Sequence, residues 1–224
     1  MRRRPGLGGT AVVLILGATV AIGLLGVPAD RLQGDVQRIM YVHVPAAWLA
    51  YLAFFVTLVG SLGYLIRRDL RFDRLAAASA ELGLLFTGAA IVSGSIWGKA
   101  TWGIWWDWDP RLTTTAVMFV VYAGYALLRG SIVERTRRAR LAAVLGIVGF
   151  ANVPIVHFSV LWWRGLHQAP TVLRPGSPTI APVLLAVLLA NVVAFTIAFA
   201  WLLRRRMALE ATRDAAQARL EATP

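Results

Sequence analysis

Long apolar runs alternate with short polar segments along the whole 224-residue chain. A helix that crosses a hydrocarbon core of ~30 Å needs roughly 20 apolar residues at about 1.5 Å of rise each. Six runs have about this length, and they cover residues 9–27, 46–66, 75–97, 112–128, 141–160 and 179–203. The pattern therefore predicts an all-α polytopic membrane protein, a bundle of six transmembrane helices in one domain over residues 1–205.

Composition agrees with a bilayer as the solvent. Hydrophobic residues make up 58% of the chain and charged residues only 15%, well away from the average of soluble domains. The first run follows three arginines, as a signal peptide would. It is too long for the apolar region of a signal peptide and lacks a small-x-small cleavage site, so we expect it to stay in the protein as a membrane span. There is no cysteine, which excludes disulfides, thiolate metal sites and cysteine nucleophiles.

Basic residues concentrate in alternate loops. Most of the 23 Lys and Arg residues lie before run one, between runs two and three, between runs four and five, and after run six: Arg2, Arg3, Arg4, Arg67, Arg68, Arg71, Arg74, Arg129, Arg135, Arg137, Arg138, Arg140, Arg204, Arg205, Arg206, Arg213 and Arg219. Since such loops face the cytoplasm, both termini are predicted to be cytoplasmic, with 206–224 as a cytoplasmic tail. The same arrangement explains the net charge of +12 without nucleic acid, which would require one basic surface.

The second outer segment is unusually rich in tryptophan. Between Trp97 and Arg111 it reads WGKATWGIWWDWDPR and holds five of the nine tryptophans. An interfacial aromatic belt needs fewer tryptophans than this. The high density of tryptophan, with interspersed glycine, therefore predicts a broad, flat apolar platform. Asp109 and Pro110 also fit the N-cap and first turn of the fourth span, so capping and direct ligand contact both remain open for Asp109.

Two of the three histidines flank this platform. His43 precedes Pro45, which suits the first turn of the second span and would leave His43 just outside the membrane. His167 follows Trp162 and Trp163 in the third outer segment, residues 162–170. Such a pair suits axial ligation of a planar metal cofactor through neutral imidazoles. A porphyrin would stack on the indoles, and its propionates would be held by cations, for which the candidates are Lys99, Arg111 and Arg164.

Other polar residues have simpler interpretations. We expect His157 to be a helix histidine facing the bundle, with a substitute-ligand role as the alternative, and Glu81 to pair with an inner-loop arginine, with proton relay as the alternative. Gly94 and Gly98 predict close helix packing. The chain has no phosphate-binding G-x-x-x-x-G-K-[ST] sequence and no H-E-x-x-H motif, so ATPase and metalloprotease activity of these types are not expected.

The run Trp102–Asp109, WGIWWDWD, resembles the WGxWWxWD signature (the WWD motif) of the haem-handling proteins of cytochrome c biogenesis. Together with Tyr41-Val-His-Val-Pro45 and the segment Val160–Gln168, it makes the chain similar to the CcmC family over most of its length. The resemblance implies haem b at the outer, periplasmic face of the bacterial inner membrane. The implied haem-binding residues are Trp102, Trp105, Trp106, Trp108 and Asp109, with His43 and His167 as axial ligands of the iron.

The same resemblance implies a set of partners. Haem would pass to a CcmE-like chaperone, and a CcmD-like small membrane protein and CcmA/CcmB-like ABC transporter subunits would accompany the chain. We expect haem binding and transfer by ligand exchange rather than catalysis. The alternatives are a haem permease subunit of an ABC-type export complex and a cytochrome c synthetase, or haem lyase, with the same signature.

Overall fold

The computed structural model describes residues 7–168, 171–172 and 174–221, with side chains to residue 216. The predictions for Arg2, Arg3, Arg4, Ala169, Pro170 and 222–224 lie outside the described residues. The described part contains seven α-helices: α1 (Leu7–Ala21), α2 (Met40–Arg67), α3 (Leu70–Trp102), α4 (Pro110–Ser131), α5 (Arg135–Phe150), α6 (Asn152–Trp162) and α7 (Pro182–Glu221). A π-helical turn, Ile22–Gly26, extends α1, and a 3-10 turn, Asp35–Ile39, leads into α2.

Within the described residues, six helical segments are long and apolar enough to cross a membrane: Gly8–Gly26, Asp35–Arg67, Leu70–Trp102, Pro110–Ser131, Arg135–Trp162 and Pro182–Ala216. The prediction of a six-span, all-α membrane protein is therefore confirmed. The fifth segment is not one continuous helix, however, because α5 ends at Phe150 and α6 begins at Asn152. Pro154 has no N–H to donate to the Phe150 carbonyl, which explains the interruption.

Pro45 does not start the second span, so that prediction is wrong. It lies inside α2, five residues after the helix begins at Met40. The preceding 3-10 turn already sets helical geometry upstream of the proline, and the helix tolerates the missing N–H. His43 is consequently a helical residue with a fixed direction and not part of a loop.

Helix α2 occupies the centre of the bundle and packs against α3, α5 and α7. A Cβ on Gly60 of α2 would lie 2.8 Å from the Ala76 backbone nitrogen of α3, so glycine allows the two backbones to approach closely. Deeper in the core, the ring of Phe54 stacks on Tyr122 of α4 at 3.5 Å between centroids. Helix α1 packs on α7 at the periphery, where exposed apolar side chains are suited to lipid.

The bundle has two chemically different ends. The aromatic end comprises residues 27–43, 97–111, 162–168, 171–172 and 174–182, and the basic end comprises residues 64–74, 129–140 and 204–216. At the basic end Arg206 of α7 forms two hydrogen bonds with Glu81, at 2.5 and 2.6 Å. An arginine partner for Glu81 is thus confirmed, but it lies on α7 and not in a loop. At 40 residues α7 is roughly 60 Å long, twice the ~30 Å core. Its C-terminal part lies beside α3 and α5, because Asp214 pairs with Arg74 and Arg135.

Candidate functional site

His43 and His167 line the same cavity at the aromatic end, although they are far apart in the chain. The cavity has a volume of about 100 Å³ and lies between α2, α3 and α4. Its other lining residues include Tyr51, Thr87, Arg111 and Met118. The tertiary structure therefore brings His43 of α2 to the same cavity as His167 of the third outer segment, as two axial ligands of one iron would require.

His43 is oriented by α3. Its Nδ1 lies 3.0 Å from the Ala90 carbonyl oxygen and 3.2 Å from Ser93 Oγ. Because a carbonyl only accepts hydrogen bonds, Nδ1 carries the proton and Nε2 keeps its lone pair. A Cβ on Gly94 would lie 2.8 Å from His43 Cε1, so this position must be glycine for the imidazole to fit. The close packing predicted for Gly94 is thus packing against the histidine.

His167 is oriented by Asp109. Its Nδ1 donates to Asp109 Oδ2 at 2.7 Å, while Asp109 Oδ1 accepts from the Leu112 N–H at 2.7 Å and caps α4. The capping role predicted for Asp109 is confirmed, and the same carboxylate selects the tautomer of the neutral His167 ring in which Nδ1 carries the proton. Direct contact of Asp109 with a cofactor stays a prediction.

Asp109 is charged at neutral pH despite its burial. Burial raises the pKa of the carboxyl, but hydrogen bonds from the Leu112 N–H and from His167 outweigh it, so the pKa of Asp109 lies below its ordinary value. A buried carboxylate that accepts from an imidazole and leaves the other ring nitrogen free is an arrangement that proteins use to orient metal-binding histidines.

Gly165 brings the segment after α6 against the start of α4. A Cβ at this position would lie 2.9 Å from Asp109 Oδ2 and 3.2 Å from Pro110 Cδ. Any larger residue would push His167 away from the carboxylate. Gly165 was not among the residues predicted from sequence; its place two residues before His167 was the available signal.

The tryptophans form an exposed apolar surface beside the two histidines. Trp105 and Trp108 expose 60% and 76% of their area, and Trp102, the last residue of α3, lies 4.9 Å from His167 between ring centroids. The surface is not flat between Trp106 and Trp108, because the planes of these two rings are 82° apart. Gly103 ends α3 with φ of 80°, and the loop that follows carries Trp105, Trp106 and Trp108. A flat platform for a cofactor stays a prediction.

The three proposed cations have different environments. Arg111 lines the cavity, donates from Nη2 to the His157 carbonyl at 2.9 Å, and has a buried Nε without a partner among the described residues. Lys99 donates to the Gly103 carbonyl at 2.8 Å and so supports the loop, whereas Arg164 is exposed. The ring of His157 lies edge-on to Tyr51, 6.2 Å away.

Six spans define a polytopic membrane protein, in which two histidines line one cavity beside exposed tryptophans. A family model described as "CcmC: Heme exporter protein C" matches residues 2–221. The chain belongs to the CcmC family, as its tryptophan-rich motif predicted.

Named relatives agree with this assignment. The chain is similar to "Heme exporter protein C" of Bradyrhizobium diazoefficiens, at 40% identity over 88% of the chain and 74% of the relative. Proteins with the same name in Haemophilus influenzae and Escherichia coli are 34% and 36% identical, over 92% and 88% of the chain and 83% and 79% of the relatives.

Proposed function

We propose that the protein binds haem at its aromatic end, coordinates the iron through Nε2 of His43 and Nε2 of His167, and delivers it to a CcmE-like chaperone for cytochrome c biogenesis. One observation carries the proposal: each histidine has its Nδ1 hydrogen-bonded to an acceptor, and both line one cavity. Neutral imidazoles with a free Nε2 are the form that ligates haem iron.

The size of the cavity supports a ligand held at the surface. Its volume of about 100 Å³ is well below the ~300–1,000 Å³ of pockets that enclose drug-sized ligands. The porphyrin would therefore lie over Trp102, Trp105 and Trp108, with its iron reaching the histidines at the cavity. Arg111 is the cation best placed to meet a propionate, because it alone of the three candidates lines the cavity.

The distribution of charge supports a periplasmic haem site. Arginines concentrate at the basic end, opposite the histidines, and basic loops face the cytoplasm. Both termini would then be cytoplasmic in the bacterial inner membrane. An exposed, weakly enclosed haem is also suited to transfer, since a histidine of the chaperone can reach the iron and replace one ligand. CcmD-like and CcmA/CcmB-like subunits are the proposed neighbours.

The test of axial ligation is absorption spectroscopy of the purified protein titrated with haem. His43→Ala and His167→Ala should each lose the bis-imidazole spectrum and weaken binding, while the matched control His157→Ala should behave as wild type. An unchanged haem band in both ligand variants would rule out this pair.

The delivery step has a separate test. Haem-loaded protein should transfer haem to the purified chaperone, and cells without that chaperone should make no holocytochrome. Holocytochrome formation in such cells would favour the synthetase alternative. A haem permease would instead move haem across vesicles that hold the chain and its ABC subunits, in the absence of a chaperone.

A further inference from the structure

A second cavity lies at the basic end of the bundle, away from the proposed haem site. It has a volume of about 320 Å³ and lies between α3, α4, α5 and α7. Its lining includes Glu81, Tyr125, Arg129, Arg138 and Asp214. The proposed haem function uses none of these residues.

Most charges around this cavity are already neutralised by ion pairs. Arg129 forms a bidentate pair with Asp73, at 2.5 and 3.0 Å, and Arg206 pairs with Glu81 at 2.5 Å. The remaining pairs are Arg206 and Arg213 with Glu210, and Arg74 and Arg135 with Asp214. Each carboxylate that lines the cavity therefore pairs with at least one arginine, and no unpaired carboxylate is left in the lining to attract a cation.

Two hydrogen-bond donors of the lining, by contrast, have no acceptor within the described residues. The hydroxyl of Tyr125, a residue only 2% exposed, is buried and makes no hydrogen bond of ordinary geometry within the described residues. The Arg129 guanidinium lies 5.9 Å from the centroid of its ring, but this guanidinium is already paired with Asp73. Arg138 Nε is also buried and unpaired there, and the Arg138 guanidinium belongs to none of the ion pairs of the described part. Buried donors that lack an acceptor are costly and rare in folded proteins.

We propose that this cavity binds a phosphate-type oxyanion, either the headgroup of an anionic lipid or free phosphate. Such an anion would accept hydrogen bonds from Tyr125 on α4 and from Arg138 on α5 at once, and would neutralise the unpaired charge of Arg138. Its tetrahedral oxygens reach donors on different helices. The cavity lies between helix ends on the arginine-rich side of the bundle, and lipid headgroups bind at such basic sites in membrane proteins.

Binding of free anion is tested with the purified full-length chain and inorganic phosphate. Phosphate should raise the unfolding temperature in a saturable way when chloride is exchanged for it at constant ionic strength. Arg138→Gln should weaken the phosphate affinity at least about tenfold, since a charge-assisted hydrogen bond is lost. Tyr125→Phe removes only the hydroxyl, keeps the packing of the ring, and should also weaken it. Arg140→Gln, an exposed arginine of the same helix, is the matched control.

Binding of a headgroup is tested in nanodiscs of phosphatidylglycerol and phosphatidylcholine. Native mass spectrometry should detect phosphatidylglycerol retained by wild type and by Arg140→Gln, and lost from Arg138→Gln and Tyr125→Phe. A response in the phosphate arm alone identifies free anion, and one in the lipid arm alone identifies a headgroup. Equal behaviour of all four proteins in both arms would overturn the proposal. No haem is present in either assay, so the result is independent of the haem proposal.

Discussion

Replacing Asp109 by asparagine separates the two roles of this side chain. Asparagine is as good an N-cap as aspartate, so its Oδ1 can keep the 2.7 Å hydrogen bond from the Leu112 N–H. With that bond kept, the amide Nδ2 takes the place of Oδ2, which lies 2.7 Å from His167 Nδ1. Nδ2 is a donor, so it favours the tautomer of His167 with the proton on Nε2, the form that cannot bind iron.

The size of the effect follows from this change of tautomer. Changing a group that orients a metal-bound histidine typically weakens metal binding about 10–100-fold, or roughly 1.4–2.7 kcal/mol. We therefore expect Asp109→Asn to weaken haem binding by that factor while its unfolding temperature falls only slightly at neutral pH, because the cap of α4 is kept. Asp109→Ala should lose the cap as well, at a further cost of ~1 kcal/mol in stability.

The assay is a haem titration followed by absorption, with thermal unfolding of the haem-free protein measured in parallel. Asp107→Asn is the matched control, because Asp107 is nearby in the same loop and its carboxylate makes no hydrogen bond within the described residues. If Asp109→Asn bound haem as tightly as wild type, the assignment of Asp109 as the group that orients His167 would be refuted.

Three further predictions concern packing, a buried ion pair and pH. Gly94→Ala should weaken haem binding about 10–100-fold, because its Cβ would lie 2.8 Å from His43 Cε1 and would displace the ring; a haem titration measures this. Asp73→Asn should lower the free energy of unfolding by ~3–5 kcal/mol, measured by denaturation in detergent, because Arg129 would keep a buried charge without its partner. The pKa of Asp109 is lowered in the fold. Its carboxylate therefore stabilises the protein at pH values above about 3.9, the pKa of an aspartate in the unfolded chain. This contribution is lost as the pH falls through the pKa of Asp109 in the folded protein. The difference in unfolding free energy between wild type and Asp109→Asn should therefore be constant above about pH 4 and shrink below it.

Matched controls make these three predictions specific. Gly124→Ala adds a methyl group in open space on another helix and should leave haem binding unchanged. Asp35→Asn breaks a pair whose aspartate is 74% exposed, so its cost should be small, within ~1 kcal/mol. Equal losses for Asp73→Asn and Asp35→Asn would contradict the importance of burial, and a pH-independent difference for Asp109→Asn would contradict its lowered pKa.

The sequence by itself determined the features that depend on local pattern. Six apolar runs were enough to predict six spans, because the bilayer requires each backbone to satisfy its own hydrogen bonds over a fixed thickness. The cap formed by Asp109 and Pro110 could be read from two adjacent residues, and the run Trp102–Asp109 indicated the family.

Only the tertiary structure decided which groups orient the site. The partner of His43 is a backbone carbonyl, that of Ala90, which no residue pattern reveals because every residue has one. Gly94 and Gly165 matter through the space that they leave for His43 and Asp109, and Arg206 meets Glu81 because α7 packs along α3. These contacts join residues that are far apart in the chain, and helix packing brings them together. Local pattern thus specified the number of spans and the start of α4, whereas the hydrogen bonds that orient both histidines arose from the way the helices pack.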